Sequence, residues 1–317
     1  MFELVTPQRL FRNQIHTLRE TLPGVLDGLE GSIHDARIAT RRIREVLPLL
    51  GDPKRRKHIE DLYSRFKRLG RSLGRVRDAD VRVSLLASLE TRMPHAAPSL
   101  VVLRQQREQE RLELLRKLIR RLERLEAVRL IEMLDEHHLR VMGVLAWGGH
   151  AGRAWKRDLR YTLRERARAA DESIDHATGV YFPDRAHAAR IAIKKLRYAM
   201  EIAHETGAAD RSAAIRELKK TQDLLGELHG RQELIDNLAE TAAKEPADAA
   251  DAANQVSLVK QVVDAECNDL HRRYLGHRAQ VHDICRHERN SVRRLRTRSL
   301  LAAGALAVSS GVYARLR

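Results

Sequence analysis

Ser32-Ile33-His34-Asp35-Ala36-Arg37-Ile38-Ala39-Thr40-Arg41-Arg42-Ile43-Arg44 is the stretch from which the rest of the chain can be read. Its polar members, His34, Arg37, Arg41, Arg42 and Arg44, return later as His187, Arg190, Lys194, Lys195 and Arg197. Both copies run histidine, then cations at +3, +7, +8 and +10, and the copies are offset by 153 residues. An α-helix turns about 100° per residue, so His34, Arg37, Arg41 and Arg44 fall within roughly an 80° sector. Ala36, Ala39, Ile43, Val46, Leu47 and Leu50 fall opposite. In the second copy Ala189, Ala192, Leu196, Ala199, Met200 and Ala203 oppose the cations in the same way. Each helix is expected to bury its apolar stripe and turn a row of cations away from that core.

Surface helices commonly carry solvated charge, but they mix signs. Like charges three and four residues apart cost helix stability unless something neutralises them. Glu45 and Glu201 sit near the ends of the two segments and relieve only part of that repulsion. Two unmixed stripes in matching register therefore point to one doubled anion-binding surface.

A second element repeats with the first. Leu73-Gly74 follows Lys67 and Arg68, and Leu225-Gly226 follows Lys219 and Lys220. The glycine comes 40 residues after the histidine in the first copy and 39 in the second. The repeat is thus expected to span two helices and a turn, with Asp78 capping the next helix near Val81 and Arg75 and Arg77 adding donors beside that turn.

The whole chain reads as helical, with no strand alternation. Breakers at Pro23-Gly24, Gly51 to Pro53, Gly70 to Gly74, Met93 to Pro98, Gly143 to Gly152, Gly179 to Pro183, Gly207, Gly226 to Gly230, Pro246 and Gly276 divide it into about ten helices. The fold class is all-α. Residues 1–145 and 150–317 form two halves, with the junction between Gly143 and Gly152. Leu100 to Leu139 carries opposite charges at helical spacing, such as Glu108 with Arg111 and Glu113 with Lys117, and reads as a self-compensated solvated face. Residues 243–253 read as a solvated loop, and Leu300 to Val312 as the last helix of a bundle.

The chain has 317 residues and a formal net charge of +16. Such an excess implies a polyanionic partner: nucleic acid, an anionic surface or a phosphate polymer. Aromatic residues make up only 4% of the chain. The stripes therefore lack the stacking platforms used by single-strand binders, and Tyr198 is placed off the stripe. The expected contact is charge and hydrogen bonding to phosphate, without base reading. Two cysteines outside any CxxC pair fit a reducing cytosol. No secretory signal or membrane span is visible.

Catalytic arrangements are not visible. There is no GxxxxGK[ST], GxSxG or HExxH motif and no carboxylate cluster for phosphoryl transfer. Asp78 and Asp80 alone are too few for a metal, and none is assigned. Cys267, His271, His282 and Cys285 have ligand chemistry suited to zinc and lie nearly symmetrically about Gly276. They would approach one another only if Gly276 turned a hairpin, and ordinary helix positions are the preferred reading. No cofactor is expected.

The stretches Ser32 to Arg44, Leu73 to Val81, His187 to Tyr198 and Leu218 to Gly230 together resemble the CHAD domain, the conserved histidine α-helical domain. The resemblance implies two four-helix bundles related by a pseudo-twofold axis around a basic central cavity or groove. It also implies non-catalytic binding of inorganic polyphosphate in the cytoplasm, with possible association with polyphosphate granules. The binding residues it implies are His34, Arg37, Arg41, Arg42, Arg44, Lys67, Arg68, Arg75, Arg77, His187, Arg190, Lys194, Lys195, Arg197, Lys219 and Lys220. One departure is Gly230, which stands where an acidic residue often follows the second Leu-Gly. The N-terminal ExExK signature of a fused CYTH triphosphatase is absent, so a stand-alone binder is expected. The alternative is a nucleic-acid-binding or nucleoid-associated helical protein, with nucleic acid held more weakly than polyphosphate on the preferred reading.

Overall fold

A computed structural model describes residues 6–50, 56–124, 127–145, 150–207, 210–242 and 250–313, with side chains described outside 50, 56, 140–154, 239–253 and 291–313. Among the described residues there are nine α-helices and no strand: α1 (Pro7–Leu26), α2 (Glu30–Val46), α3 (Arg56–Arg92), α4 (Ala97–Arg124), α5 (Ala127–Leu145), α6 (His150–His176), α7 (Pro183–Glu205), α8 (Ser212–Ala242) and α9 (Ala250–Tyr313). The protein is all-α.

Local chemistry sets several boundaries. Thr6 caps α1 by accepting a hydrogen bond from the Arg9 amide at 3.2 Å, and Pro7 supplies a preset first turn. Gly28, with φ of +74°, reverses the chain between α1 and α2. Pro183 and Asp184 open α7, the carboxylate lying at the positive end of the helix dipole.

The apolar stripes fall where expected. Ile33, Ala36, Ala39, Ile43 and Val46 of α2 are buried, as are Ala189, Ala192, Leu196, Ala199, Met200 and Ala203 of α7. Small side chains in both rows allow close helix approach. In the first half, α2 packs against α1 and α3, α3 against α4, and α5 against α1. In the second, α6, α7, α8 and α9 close a four-helix ring. Contacts between the halves run α2 to α7, α3 to α8 and α4 to α9. One contiguous apolar cluster includes residues of both halves. Each fully buried Leu or Ile in it contributes about 1.5–3 kcal/mol.

Several expected breaks are helix interior. Gly70 and Gly74 lie inside α3, and Gly226 and Gly230 inside α8, so no turn follows either Leu-Gly and Asp78 is no N-cap. Gly70, Gly74 and Gly226 are packing positions, whereas Gly230 faces open space. A Cβ on Gly74 would stand 3.7 Å from Arg37 Nε, and one on Gly226 would stand 3.4 Å from Arg190 Nε. The two Leu-Gly steps thus occupy matching places: each glycine lies against the arginine at the +3 position. Pro23 and Gly24 also lie inside α1, where a Cβ on Gly24 would fall 2.1 Å from Ser32 Oγ. Gly276 is inside α9 and makes no hairpin.

The segment from Leu100 to Leu139 divides into α4 and α5. Of the expected junction from Gly143 to Gly152, the flanks belong to α5 and α6 and residues 146–149 lie outside the described residues, as do residues 243–249 of the expected loop; Ala250 already begins α9. Leu300 to Val312 continues α9, and its side chains lie outside the described residues. No helix among the described residues is long and apolar enough to cross a membrane.

Candidate anion-binding site

Packing α2 against α7 brings cations of both copies into one electrostatic field. Lys194 of α7 is the clearest case. Its ammonium is pushed from an ordinary 10.5 down to about 8, by burial first and then by Arg190, Arg37 and Arg41; Asp78 opposes the shift. Two of those three arginines come from α2. Arg190 is also lowered by burial, with Arg37 adding to the effect and Asp78 opposing it. Arg41 is lowered to about 10, again chiefly by burial.

The site's donors are incompletely used within the protein. Buried Nε atoms of Arg41, Arg42, Arg44 and Arg190, and Nδ1 of His187, have no hydrogen-bond partner. A buried donor without a partner costs stability, about 1–3 kcal/mol when it loses one. Four such guanidinium donors on the two striped helices mark a surface short of acceptors. Phosphate oxygens are the acceptor best matched to guanidinium forks.

Tyr198 connects the stripes. It is buried, and the Arg41 and Arg197 guanidinium carbons lie 3.6 and 4.7 Å from its ring centroid. Tyr198 lies off the cation stripe of α7, yet its ring is met by Arg41 of the neighbouring helix.

The two copies are unequal. Asp78 lies 3.3 Å from Arg37, whereas α8 carries Gly230 at the matching place. Arg44 lies over Gly70, 3.5 Å from where its Cβ would be, whereas Arg197 Nε donates to Gln222 Oε1 at 3.1 Å. His34 is exposed, whereas His187 sits with its ring centroid 4.2 Å from that of His229. Burial, then His229, Arg190 and Lys194, lower the His187 pKa.

Some expected binding residues hold partners of their own. Arg42 reaches Glu205 at 3.2 Å and Glu201 at 3.7 Å, across the interface between halves. Arg197 also pairs with Glu201, and Arg77 pairs with Glu30. Lys195 is exposed, and its carbonyl accepts a bond from Arg166 at 2.9 Å while Arg166 also pairs with Glu45. Lys67, Lys219 and Lys220 are exposed on α3 and α8. Arg68 and Arg75 face a separate cavity between α3 and α4. Asp78, His229 and Arg166 were not singled out for these roles. Their connections to the stripes run between distant helices and leave no mark on local spacing.

The four residues considered for zinc do not gather. Cys267 and Cys285 are free, buried and on one continuous helix, about 27 Å apart along its axis. His282 Nδ1 is 2.7 Å from Asp171 Oδ1, and His271 packs beside the Tyr181 ring. Among the described residues, no three His, Cys, Asp or Glu side chains form a group able to hold a metal.

The CHAD domain family profile matches residues 9–239, most of the chain. The chain belongs to the CHAD domain family. Two solved structures have a similar CHAD-like arrangement. The CHAD domain from the plant Ricinus communis is 24% identical, with 87% of this chain and 90% of that one covered at a TM-score of 0.61. PptA from Streptomyces chartreusis is 17% identical, with 86% and 98% covered at a TM-score of 0.58. At these identities the likeness establishes the fold. No match is found among curated proteins. Within this CHAD chain, the striped helices α2 and α7 and the Leu-Gly helices α3 and α8 all lie inside the matched span.

Proposed function

We propose that this protein binds inorganic polyphosphate without cleaving it, through cations of α2 and α7 acting as one site. Residues 1–145 and 150–317 then each supply one stripe, related by a pseudo-twofold axis within a single CHAD domain. Arg37, Arg41, Arg190 and Lys194 form the centre. His187 and Arg44 flank them, Arg42 holds the halves together through Glu201 and Glu205, and Arg197 fixes Glu201 from within α7. The setting proposed is the cytoplasm, with association with polyphosphate granules.

The observation that carries this reading is the Lys194 ammonium, depressed by burial first and then by Arg190 on its own helix and by Arg37 and Arg41 of the other copy. Cations forced together in a half-buried place repel one another, and a polyanion laid along them removes that repulsion. A phosphate chain offers closely spaced oxygens and no bases. It therefore suits a site with guanidinium donors and one buried tyrosine better than a stacked nucleic acid does. Cations alone supply neither a base nor a metal for cleavage.

Competition tests the reading. Long-chain polyphosphate should displace duplex DNA at about 150 mM salt, and its own affinity should fall steeply as salt rises. Equal or tighter binding of the duplex would replace polyphosphate with nucleic acid as the ligand.

A further inference from the structure

A cavity of about 460 Å³ lies between α3 and α4, away from the α2–α7 stripes. Arg68, Ser72 and Arg75 line it from α3; Lys117, Arg120, Arg121 and Arg124 line it from α4. Both sets follow helical spacing, so each presents one face to the same space. We propose that this cavity is a second anion site, which takes a compact oligophosphate.

The charge pattern sets it apart from ordinary surface. Half-buried arginines elsewhere on α3 and α4 have acidic partners, Arg65 with Asp61, Arg104 with Glu90 and Glu108, and Arg107 with Glu110, while among the described residues the exposed Arg71 and Arg116 stand singly. No acidic side chain lines the cavity. Among the described residues, only Lys117 of its cations has an acidic partner, Glu113 at 3.8 Å. Cations in the last turn of a helix are favoured by its dipole, which accounts for Arg121 and Arg124. It does not account for Arg68 and Arg75, which lie well inside α3 and face them.

The site is also no by-product of the internal repeat. The α8 positions matching Ser72 and Arg75 are Leu224 and Glu227. The second copy thus replaces a hydroxyl with an apolar group and a cation with an acid. The cavity is a property of the first half alone.

Its chemistry suits several linked phosphates. Arg121 donates to Ser72 Oγ at 3.0 Å and the hydroxyl donates in turn to the Arg68 carbonyl at 3.4 Å, so Ser72 fixes Arg121 at the cavity wall. The lining is six cations and one serine with no aromatic ring, a donor set matched to phosphate oxygens. The volume lies in the range of small-molecule sites and is too small for a duplex.

Calorimetric titration with sodium tripolyphosphate tests this, and the proposal does not depend on the α2–α7 reading. The wild type should bind at two sites. Arg120→Glu with Arg124→Glu should remove one, with association there weakened about tenfold or more and an unchanged circular-dichroism spectrum. Arg75→Glu, which installs the residue of the second copy, should weaken the same site. Arg190→Ala with Lys194→Ala should remove the other. If the α4 double variant and Arg75→Glu both titrate like wild type, the cavity is no anion site, and the α2–α7 reading is untouched. If only the α4 variant and Arg75→Glu lose binding, the cavity stands and the α2–α7 reading fails.

Discussion

The guanidinium of Arg41 on α2 lies 3.6 Å from the centroid of the Tyr198 ring on α7. The contact crosses between the two copies of the repeat and holds a cation at the site without an acid. A desolvated contact of this kind contributes up to about 2 kcal/mol. Tyr198→Phe should keep it and leave both melting temperature and polyphosphate affinity close to wild type. Tyr198→Leu should lower stability by about 1–2 kcal/mol and weaken binding. Urea unfolding and titration of the two variants distinguish the ring from the hydroxyl: equal losses in both would place the effect in the hydroxyl.

Lys194 gives a pH signature. Below about pH 8 its amine is charged in both folded and unfolded chains, and the cost of holding that charge among arginines is fully present. Between about 8 and 10.5 the unfolded chain binds a proton that the folded chain lacks, so this residue's contribution to stability rises with pH. Lys194→Met should therefore melt higher than wild type at pH 7.5, with the advantage shrinking towards pH 10. A polyanion should pull the proton back on. Calorimetry near pH 8 in buffers of different ionisation enthalpy should show proton uptake on polyphosphate binding, lost in Lys194→Met. Uptake that persists in the variant would assign the proton elsewhere.

Asp78 is an acid placed among the cations of both copies. It pairs with Arg37 at 3.3 Å and steadies the charges of Arg190 and Lys194. It also repels any phosphate that approaches them. Asp78→Asn should lower the melting temperature of the free protein and tighten polyphosphate binding by up to about fivefold, the scale of an exposed ion pair. Weaker binding would show that Asp78 positions Arg37 for the ligand.

The glycines separate by what surrounds them. At Gly74 an added methyl makes ordinary contact with Arg37. Gly74→Ala should gain about 0.5–1 kcal/mol from helix propensity and retain binding. Gly24→Ala meets Ser32 Oγ at 2.1 Å and should destabilise. Thermal melts of the two variants should move in opposite directions.

The stripes were legible because charge and apolar residues segregate at the helical period, and Ala36, Ile43, Ala192 and Leu196 are buried as that period requires. The glycines were misread for a physical reason. Gly weakens a helix locally, so Gly74 and Gly226 read as stops. Packing against neighbouring helices outweighs that cost and carries α3 and α8 through both glycines. Asp78 followed from the same error, since an acid after an apparent turn reads as a cap. The partners of Arg42 are about 160 residues away in sequence, beyond the reach of any periodicity. The end of α4 was passed over because the acids earlier in that helix balance its charge on average. Only its packing against α3 shows that Arg120, Arg121 and Arg124 share a cavity from which those acids are missing.

The inequality between Asp78 and Gly230 has an evolutionary consequence. The two copies carry the same stripe, so an ancestor made of two identical half-length chains is easily imagined. That ancestry can no longer be reversed by cutting the chain. Two second halves paired together would set Arg190 and Lys194 against their own duplicates with no Asp78 to temper them, and two first halves would carry that acid twice. Within a single polypeptide one copy can carry the acid while the other lacks it. Each half now depends on its sibling being different.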